Sequence, residues 1–216
     1  MKVTDLFESM PVEAELVLSG KRVILNSEHT LKLFAGDTLL HSFVCSPSAL
    51  GELCAGWLAA EGYAAEAVEV SPDGQTAMAL GVSPAPQKRH LSSRVDASVG
   101  EMLALFDQAS GAYARSHGIH ECVLKGKNWH ILSTDIGRHN AIDKALGAAI
   151  LSGYDLTGAV MFTSGRINVQ TVQKAARCAL GCLMSKAVIT REALELARKL
   201  GLKVLFSVKE NGCLSV

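Results

Sequence analysis

The stretch Asp135-Ile136-Gly137-Arg138-His139-Asn140-Ala141-Ile142-Asp143-Lys144 sets the architecture. It packs an acid, a base, an imidazole and an amide into one turn, then becomes an amphipathic helix. Just ahead, Trp129 to Thr134 reads as a strand that ends in polar residues. Behind it, Ile142, Leu146, Ala149 and Ile150 recur at three- and four-residue spacing and so share one helical face. Asn140 is placed to cap that helix, with Asp143 three residues on, close to a capping box. Gly137-Arg138-His139 thus falls where a strand hands over to a helix N-terminus, a favoured place for an anion or a nucleotide.

Outward from this stretch the order is regular. Ala159–Thr163 is a buried strand followed by Ser164-Gly165-Arg166 and a helix over about 168–180. Cys182-Leu183-Met184 is a short strand, followed by Ser185-Lys186 and a helix capped by Thr190. Leu202–Val208 is a last strand, and Lys209 follows it. On the other side, Glu121–Lys125 pairs with Trp129–Thr134 around Gly126-Lys127-Asn128. Ser98-Val99-Gly100-Glu101 is a capping box for a helix that buries Met102, Leu105, Phe106 and Ala109. The proline-containing, basic segment 84–97 reads as a loop or linker between a lobe at 1–83 and a core at 98–216. Within the lobe, Thr30–Phe34 and Thr38–Val44 form a hairpin. Ser46-Pro47 opens a helix that carries Leu50, Leu53, Cys54, Trp57 and Leu58 inward and stops near Gly62. A second hairpin surrounds Pro72-Asp73-Gly74. Strands alternating with helices predict an α/β core with a mixed, largely parallel sheet beside a smaller β-rich N-terminal lobe.

Composition narrows the function. The chain has 216 residues, 49% of them hydrophobic, with 21 Lys+Arg against 21 Asp+Glu. A neutral balance argues against non-specific duplex DNA or a membrane surface as partner. No apolar run approaches a membrane span and the first residues form no signal segment, so the expected location is the cytoplasm. The cysteines (45, 54, 122, 178, 182 and 213) fall mostly in apolar elements, as reduced buried thiols do. Cys178 and Cys182, beside Ala175, Ala176, Ala179 and Leu180, read as packing rather than as a redox or metal pair. His117 and His120 lack the further ligands a zinc site needs. No metal is expected.

If the strands are parallel, their C-terminal ends share an edge. Asp135, Arg138 and His139 fall there, with Ser164, Gly165 and Arg166, Ser185 and Lys186, and Ser207 and Lys209. Four cationic side chains on one edge point to a phosphate-bearing ligand; the alternative is solvated, structural loops. His139 is either a general base or a hydrogen-bonding turn residue. Asp143 and Lys144 lie inside the helix, where one is expected to pair as structure.

Gly137-Arg138-His139-Asn140-Ala141-Ile142-Asp143-Lys144, Thr163-Ser164-Gly165-Arg166 and Val172-Gln173-Lys174-Ala175-Ala176-Arg177 together resemble the formate dehydrogenase accessory protein family, FdhD. Cys45-Ser46-Pro47, Leu53-Cys54-Ala55-Gly56-Trp57-Leu58 and Glu61-Gly62-Tyr63 extend the resemblance to the N-terminal half. The resemblance implies a cytidine-deaminase-like three-layer sandwich without the zinc chemistry, and a homodimer. It also implies a role in maturing formate dehydrogenase: taking sulfur from a cysteine desulfurase and passing it to a bound molybdenum bis-molybdopterin guanine dinucleotide cofactor. The cofactor's diphosphates agree with the cationic edge. By the same resemblance, the cofactor-contacting stretch near the C-terminus is Phe206-Ser207-Val208-Lys209-Glu210-Asn211, where members usually have glycine-phenylalanine-x-arginine. The expected ligand-binding set is Asp135, Gly137, Arg138, His139, Asn140, Ser164, Gly165, Arg166 and Lys186 with residues 206–211.

The sequence also departs from the family. The sulfur relay of the family uses a Cys-x-x-Cys loop, and here that interval holds Pro86-Gln87-Lys88-Arg89-His90-Leu91-Ser92-Ser93. No cysteine lies between Cys54 and Cys122, so no catalytic thiol is assigned. The alternative to a sulfur carrier is a non-catalytic binder of a guanine nucleotide or molybdopterin cofactor. A nucleotide-modifying enzyme using Asp135 or His139 as base is the third reading.

Overall fold

The computed structural model describes residues 1–5, 7–8, 12–15, 22–85, 94–109, 118–209 and 212–215. In chain order the elements are β1 (Lys2–Thr4), β2 (Val12–Glu15), β3 (Arg22–Leu25), β4 (His29–Ala35), β5 (Thr38–Cys45), α1 (Leu50–Glu61), β6 (Tyr63–Ala64), β7 (Ala67–Val70), β8 (Thr76–Leu80), β9 (Ser83–Pro84) and α2 (Val99–Ala109). They continue as β10 (His120–Gly126), β11 (Trp129–Asp135), α3 (Arg138–Leu151), β12 (Val160–Thr163), α4 (Val169–Arg177), β13 (Cys182–Ser185), α5 (Arg191–Leu200), β14 (Lys203–Lys209) and β15 (Gly212–Ser215).

The central sheet has the order β11-β10-β12-β13-β14-β15. Its middle strands are apolar on both faces because helices cover both. Alternation along β12 sends Val160 and Phe162 toward Met102 and Phe106 of α2. Met161 points the other way, with Leu124, Leu183 and Val204, into a core closed by Ile142, Leu146, Val172, Ala193 and Ala197 of α3, α4 and α5. The core is therefore a three-layer α/β/α sandwich. Its sheet is mixed, but parallel pairing is limited to β12-β13-β14. The other three pairings are antiparallel, which corrects the expectation of a largely parallel sheet. The cause is local: connections as short as Gly126 to Trp129 join only antiparallel neighbours.

The N-terminal residues form a second sheet, β1-β7-β8-β4-β5. Leu31, Leu33, Phe43 and Val68 bury one of its faces against Leu50, Leu53, Cys54 and Leu58 of α1. The opposite side of α1 lies on α3 at backbone distance. A Cβ added at Gly56 would stand 1.8 Å from the Asp143 carbonyl oxygen, and one at Gly147 would stand 1.9 Å from that of Glu52. Two glycines thus let the helix of the small sheet seat directly on the core.

Both lobe hairpins, the Ser98–Glu101 capping box and the Thr190 cap form as the sequence indicates. Two helix starts differ. The first helix does not open at Ser46-Pro47; α1 begins at Leu50 after Ala49 in the left-handed region, and Asp5 caps it by accepting from Gly51 N at 3.0 Å. Asn140 does not cap α3, which starts after Gly137, because its amide is drawn to Val44 O and Asp135.

Gly147→Ala should lower stability by about 1–3 kcal/mol through overpacking, although alanine is the better helix former. Denaturant unfolding checks this. A midpoint at or above that of the native sequence would show that α1 and α3 have room to separate.

Candidate functional site

The site is built on a buried carboxylate. Asp135, at the end of β11, is 0% exposed and receives donors on both oxygens. Oδ2 accepts from Lys144 Nζ at 2.6 Å and Ser46 N at 3.0 Å; Oδ1 accepts from Gly137 N at 2.8 Å and Asn140 Nδ2 at 3.0 Å. Lys144 also donates to Ser46 O, and Ser46 Oγ accepts from Ile136 N. These bonds fix the turn and tie the segment after β5 to it. A second buried pair involves the residue next to Lys144, where Lys174 Nζ meets Asp143 at 2.7 and 2.8 Å. Burial pushes the Asp143 carboxyl up to about 6 against the opposing pull of Lys174. Asp143 and Lys144 are thus both paired as structure, with Glu61 and Arg177 extending the network across α1 and α4.

β11 and β12 both run antiparallel to β10, and β12, β13 and β14 run parallel, so the four strands end at one edge. The first residue of β10, His120, lies at the same edge opposite Asp135. Gly165 packs under the stem of Arg138, since a Cβ there would fall 2.9 Å from Arg138 Cβ and 3.0 Å from its Cδ. Arg138 Nε reaches His139 Nε2 at 3.5 Å, and Asn168 Nδ2 stands 3.2 Å from the same nitrogen. His120 Nδ1 meets Ser164 Oγ at 3.2 Å, and that oxygen accepts from Glu121 N. Burial, followed by Lys174, Arg138 and His120, lowers the His139 pKa to about 4. Burial and then Arg138 lower that of His120 as well. The edge therefore presents a guanidinium flanked by neutral imidazoles.

The structure brings Arg138, His139, Ser164, Gly165 and Arg166 together, and among the described residues Arg138, Arg166 and Lys209 have no ion pair. Other members of the expected set have different surroundings. Asp135 is enclosed by its donors, and Val208 is buried against the α2 layer. Lys186 turns to α2, donating to Asp107 at 2.8 Å and lying over the Phe106 ring. Phe206 packs against the α3–α5 core, and Ser207, at φ 51, sits in a bulge of β14. Glu210, Asn211, His117 and residues 86–93 lie outside the described residues. His120 and Asn168 are members that the sequence reading passed over. Counting back from the β10–β11 turn, which pairs Gly126 with Trp129, places His120 opposite Asp135 and would have found the first.

Cys178 and Cys182 belong to opposite faces of the sheet, as packing residues do. Burial pushes Cys45 up to about 12 and Cys182 up to about 11, and raises Cys54 and Cys122 as well. Cys122 and Cys178 are both buried; Cys213 on β15 is exposed. Among the described residues no cluster of three or more His, Cys, Asp or Glu is arranged for a metal, and no helix is long and apolar enough to cross a membrane. An open groove of ≈ 550 Å³ lies away from the edge, between Gly62, Pro84, Arg177 and Leu200.

An α/β/α sandwich with a small sheet seated on one helix layer is an architecture also found in a protein described as a formate dehydrogenase accessory protein. The crystal structure of a Desulfotalea psychrophila protein assigned to that class superposes with a TM-score of 0.76 over 95% of each chain, at 21% identity. The FdhD/NarQ family model matches residues 74–214, and the chain belongs to this family. The sulfur carrier protein FdhD of Bacillus subtilis is 32% identical over 57% of this chain and 48% of its own length. That of Halalkalibacterium halodurans is 32% identical over 47% of this chain and 38% of its own. Protein FdhD of Methanocaldococcus jannaschii is 29% identical over 80% of this chain and 78% of its own. The chain thus spans half or less of the two bacterial relatives.

Asp135→Asn should destabilise the protein by about 3–5 kcal/mol, because it leaves the Lys144 ammonium buried without its counter-ion. Equilibrium unfolding checks this, and a loss below 1 kcal/mol would contradict the enclosed pair. His139 should titrate with a midpoint near 4 by NMR. Since that lies below the ordinary 6.5, the unfolded chain takes the proton first. Stability should therefore fall as pH drops from about 6.5 towards about 4, more steeply in the wild type than in His139→Gln.

Proposed function

We propose that this chain is an FdhD-type accessory factor of formate dehydrogenase that holds the molybdenum bis-molybdopterin guanine dinucleotide cofactor along the strand-end edge. The observation that carries the reading is the pair of arginines, Arg138 and Arg166, that stand at this edge with no ion pair among the described residues. A bound dinucleotide would present diphosphate oxygens there, and the guanidinium fork is shaped to take them in pairs. Arg138, held on Gly165 beside His139, and Arg166 would take the phosphates; Asn140, Ser164, Ser207 and Lys209 would flank them. Bound, the cofactor would supply the molybdenum centre that receives sulfur. Gly137 contributes its backbone to the turn, Asp135 and Val208 would act by shaping the edge rather than by touching the ligand, and Lys186 is turned away to Asp107 and takes no part.

A cysteine desulfurase as sulfur donor, formate dehydrogenase as client, a homodimer and a cytoplasmic location complete the reading. Formate dehydrogenase enters through the name of the structural neighbour and sulfur carriage through the names of the relatives; the desulfurase, the homodimer and the cytoplasm rest on the family resemblance alone. A second reading has a specific observation in its favour. A sulfur carrier needs an accessible thiolate, and the thiols at 45, 54, 122, 178 and 182 are buried. A cofactor-holding member that does not itself carry sulfur fits those thiols better.

Arg138→Ala and Arg166→Ala should each weaken GDP binding about tenfold, the loss of one charge-assisted contact. Lys186→Ala should leave it unchanged. Calorimetry checks the set, and unaltered affinity in both arginine variants would remove the edge site. Intact-mass analysis after incubation with a cysteine desulfurase and cysteine separates the two readings. One added sulfur on Cys213 supports a carrier. No adduct alongside GDP binding supports the holder.

A further inference from the structure

Asn168 caps α4, and both ends of its amide are in use. Its Oδ1 accepts from Thr171 N at 3.0 Å and from Thr171 Oγ1 at 2.9 Å. That fixes the amide orientation, so Nδ2 is the atom facing His139 Nε2 at 3.2 Å. An amide nitrogen only donates, so Nε2 accepts and carries no proton. Arg138 Nε, a second donor, approaches the same nitrogen at 3.5 Å. The proton of the neutral ring therefore sits on Nδ1, which is buried and has no hydrogen-bond partner among the described residues. A cap in one element thus sets the tautomer of an imidazole in another.

The surroundings hold the ring in that form. Lys174 on α4, Arg138 on α3 itself and His120 on β10 all disfavour a positive imidazole. Glu61 on α1 favours it, but its carboxylate is already engaged by Arg177 at 3.0 Å and Lys174 at 3.7 Å. Asp143, on the same helix as His139, is taken by Lys174. With Nε2 kept as an acceptor, Arg138 is held from two sides: its Nε by His139, and its stem by the Cβ-less surface of Gly165.

We propose that Asn168 is a positioning residue for anion recognition: by fixing the His139 tautomer it holds Nε2 as acceptor for Arg138 Nε and aims the guanidinium at the strand-end edge. The inference rests on the reading of that edge as a binding site for phosphate groups. It names a residue that acts on the ligand through two others, the order being Asn168, His139, Arg138.

The test uses two substitutions that keep the α4 cap, since serine and aspartate are both good capping residues. Asn168→Ser removes the Nδ2 donor. Asn168→Asp turns an acceptor toward Nε2, which is satisfied only if Nε2 takes a proton. ¹⁵N NMR of the His139 ring should show the Nδ1–H tautomer in the wild type, and an added Nε2 proton near neutral pH in Asn168→Asp. GDP binding to Asn168→Ser should be about fivefold weaker, the loss of one hydrogen bond's influence. In an Arg138→Ala background the same substitution should cause no further loss. An Nε2–H ring in the wild type, or an undiminished loss in the Arg138→Ala background, overturns this inference alone. Wild-type protein that shows the Nδ1–H ring yet binds no GDP overturns the binding reading, and the recognition role of Asn168 with it.

Discussion

The buried carboxylate of Asp135 is the constraint on which the rest of the molecule depends. An ionised group removed from water costs several kcal/mol unless its lone pairs are filled, and here the filling comes from three places in the chain. Ser46 brings the end of the small sheet, Gly137 brings the turn, and Asn140 and Lys144 bring the first two coils of α3. Satisfying one acid therefore locks the lobe, the turn and the helix together. The close seating of α1 on α3 through Gly56 and Gly147 works to the same end. The edge loops stand on this base, which is why a polar, glycine-containing turn can present Arg138 in a defined position.

Electrostatics at the edge follow from that arrangement. The acids nearest the site are already used by lysines inside the protein, as Asp135 is by Lys144 and Asp143 by Lys174. Among the described edge residues, what remains outward is cationic or neutral: Arg138, Arg166, Lys209 and two imidazoles kept uncharged by burial and by Arg138. A chain with zero formal net charge thereby shows a positive face in one place. The thiols follow the opposite logic. The same burial that builds the core raises the pKa of Cys45, Cys54, Cys122 and Cys182 and withholds them from sulfur chemistry.

Much of this was legible in the sequence, where local rules and the tertiary structure agree. Ser98 with Glu101, Thr190 before α5 and the two lobe hairpins obey capping and turn chemistry whatever their surroundings. The misreadings share one cause. Ser46 and Asn140 are residue types that cap helices, and both side chains were diverted to partners far away in sequence, Ser46 Oγ to Ile136 N and Asn140 Nδ2 to Val44 O. Lys186 was legible as an edge residue but not as one turned toward Asp107, because sequence order does not say which layer a loop side chain leans on. His120 was within reach through hairpin register. Its contact with Ser164 depends on β10 pairing with β12, a non-consecutive partner that spacing alone does not announce.

The most direct test of the central claim, that the strand-end edge is the ligand site, is hydrogen exchange of the protein with and without GDP. The account predicts slowed exchange confined to 135–140, 164–168 and 206–209. Protection instead around the groove between α1, α4 and α5, with the edge loops unchanged, would contradict it.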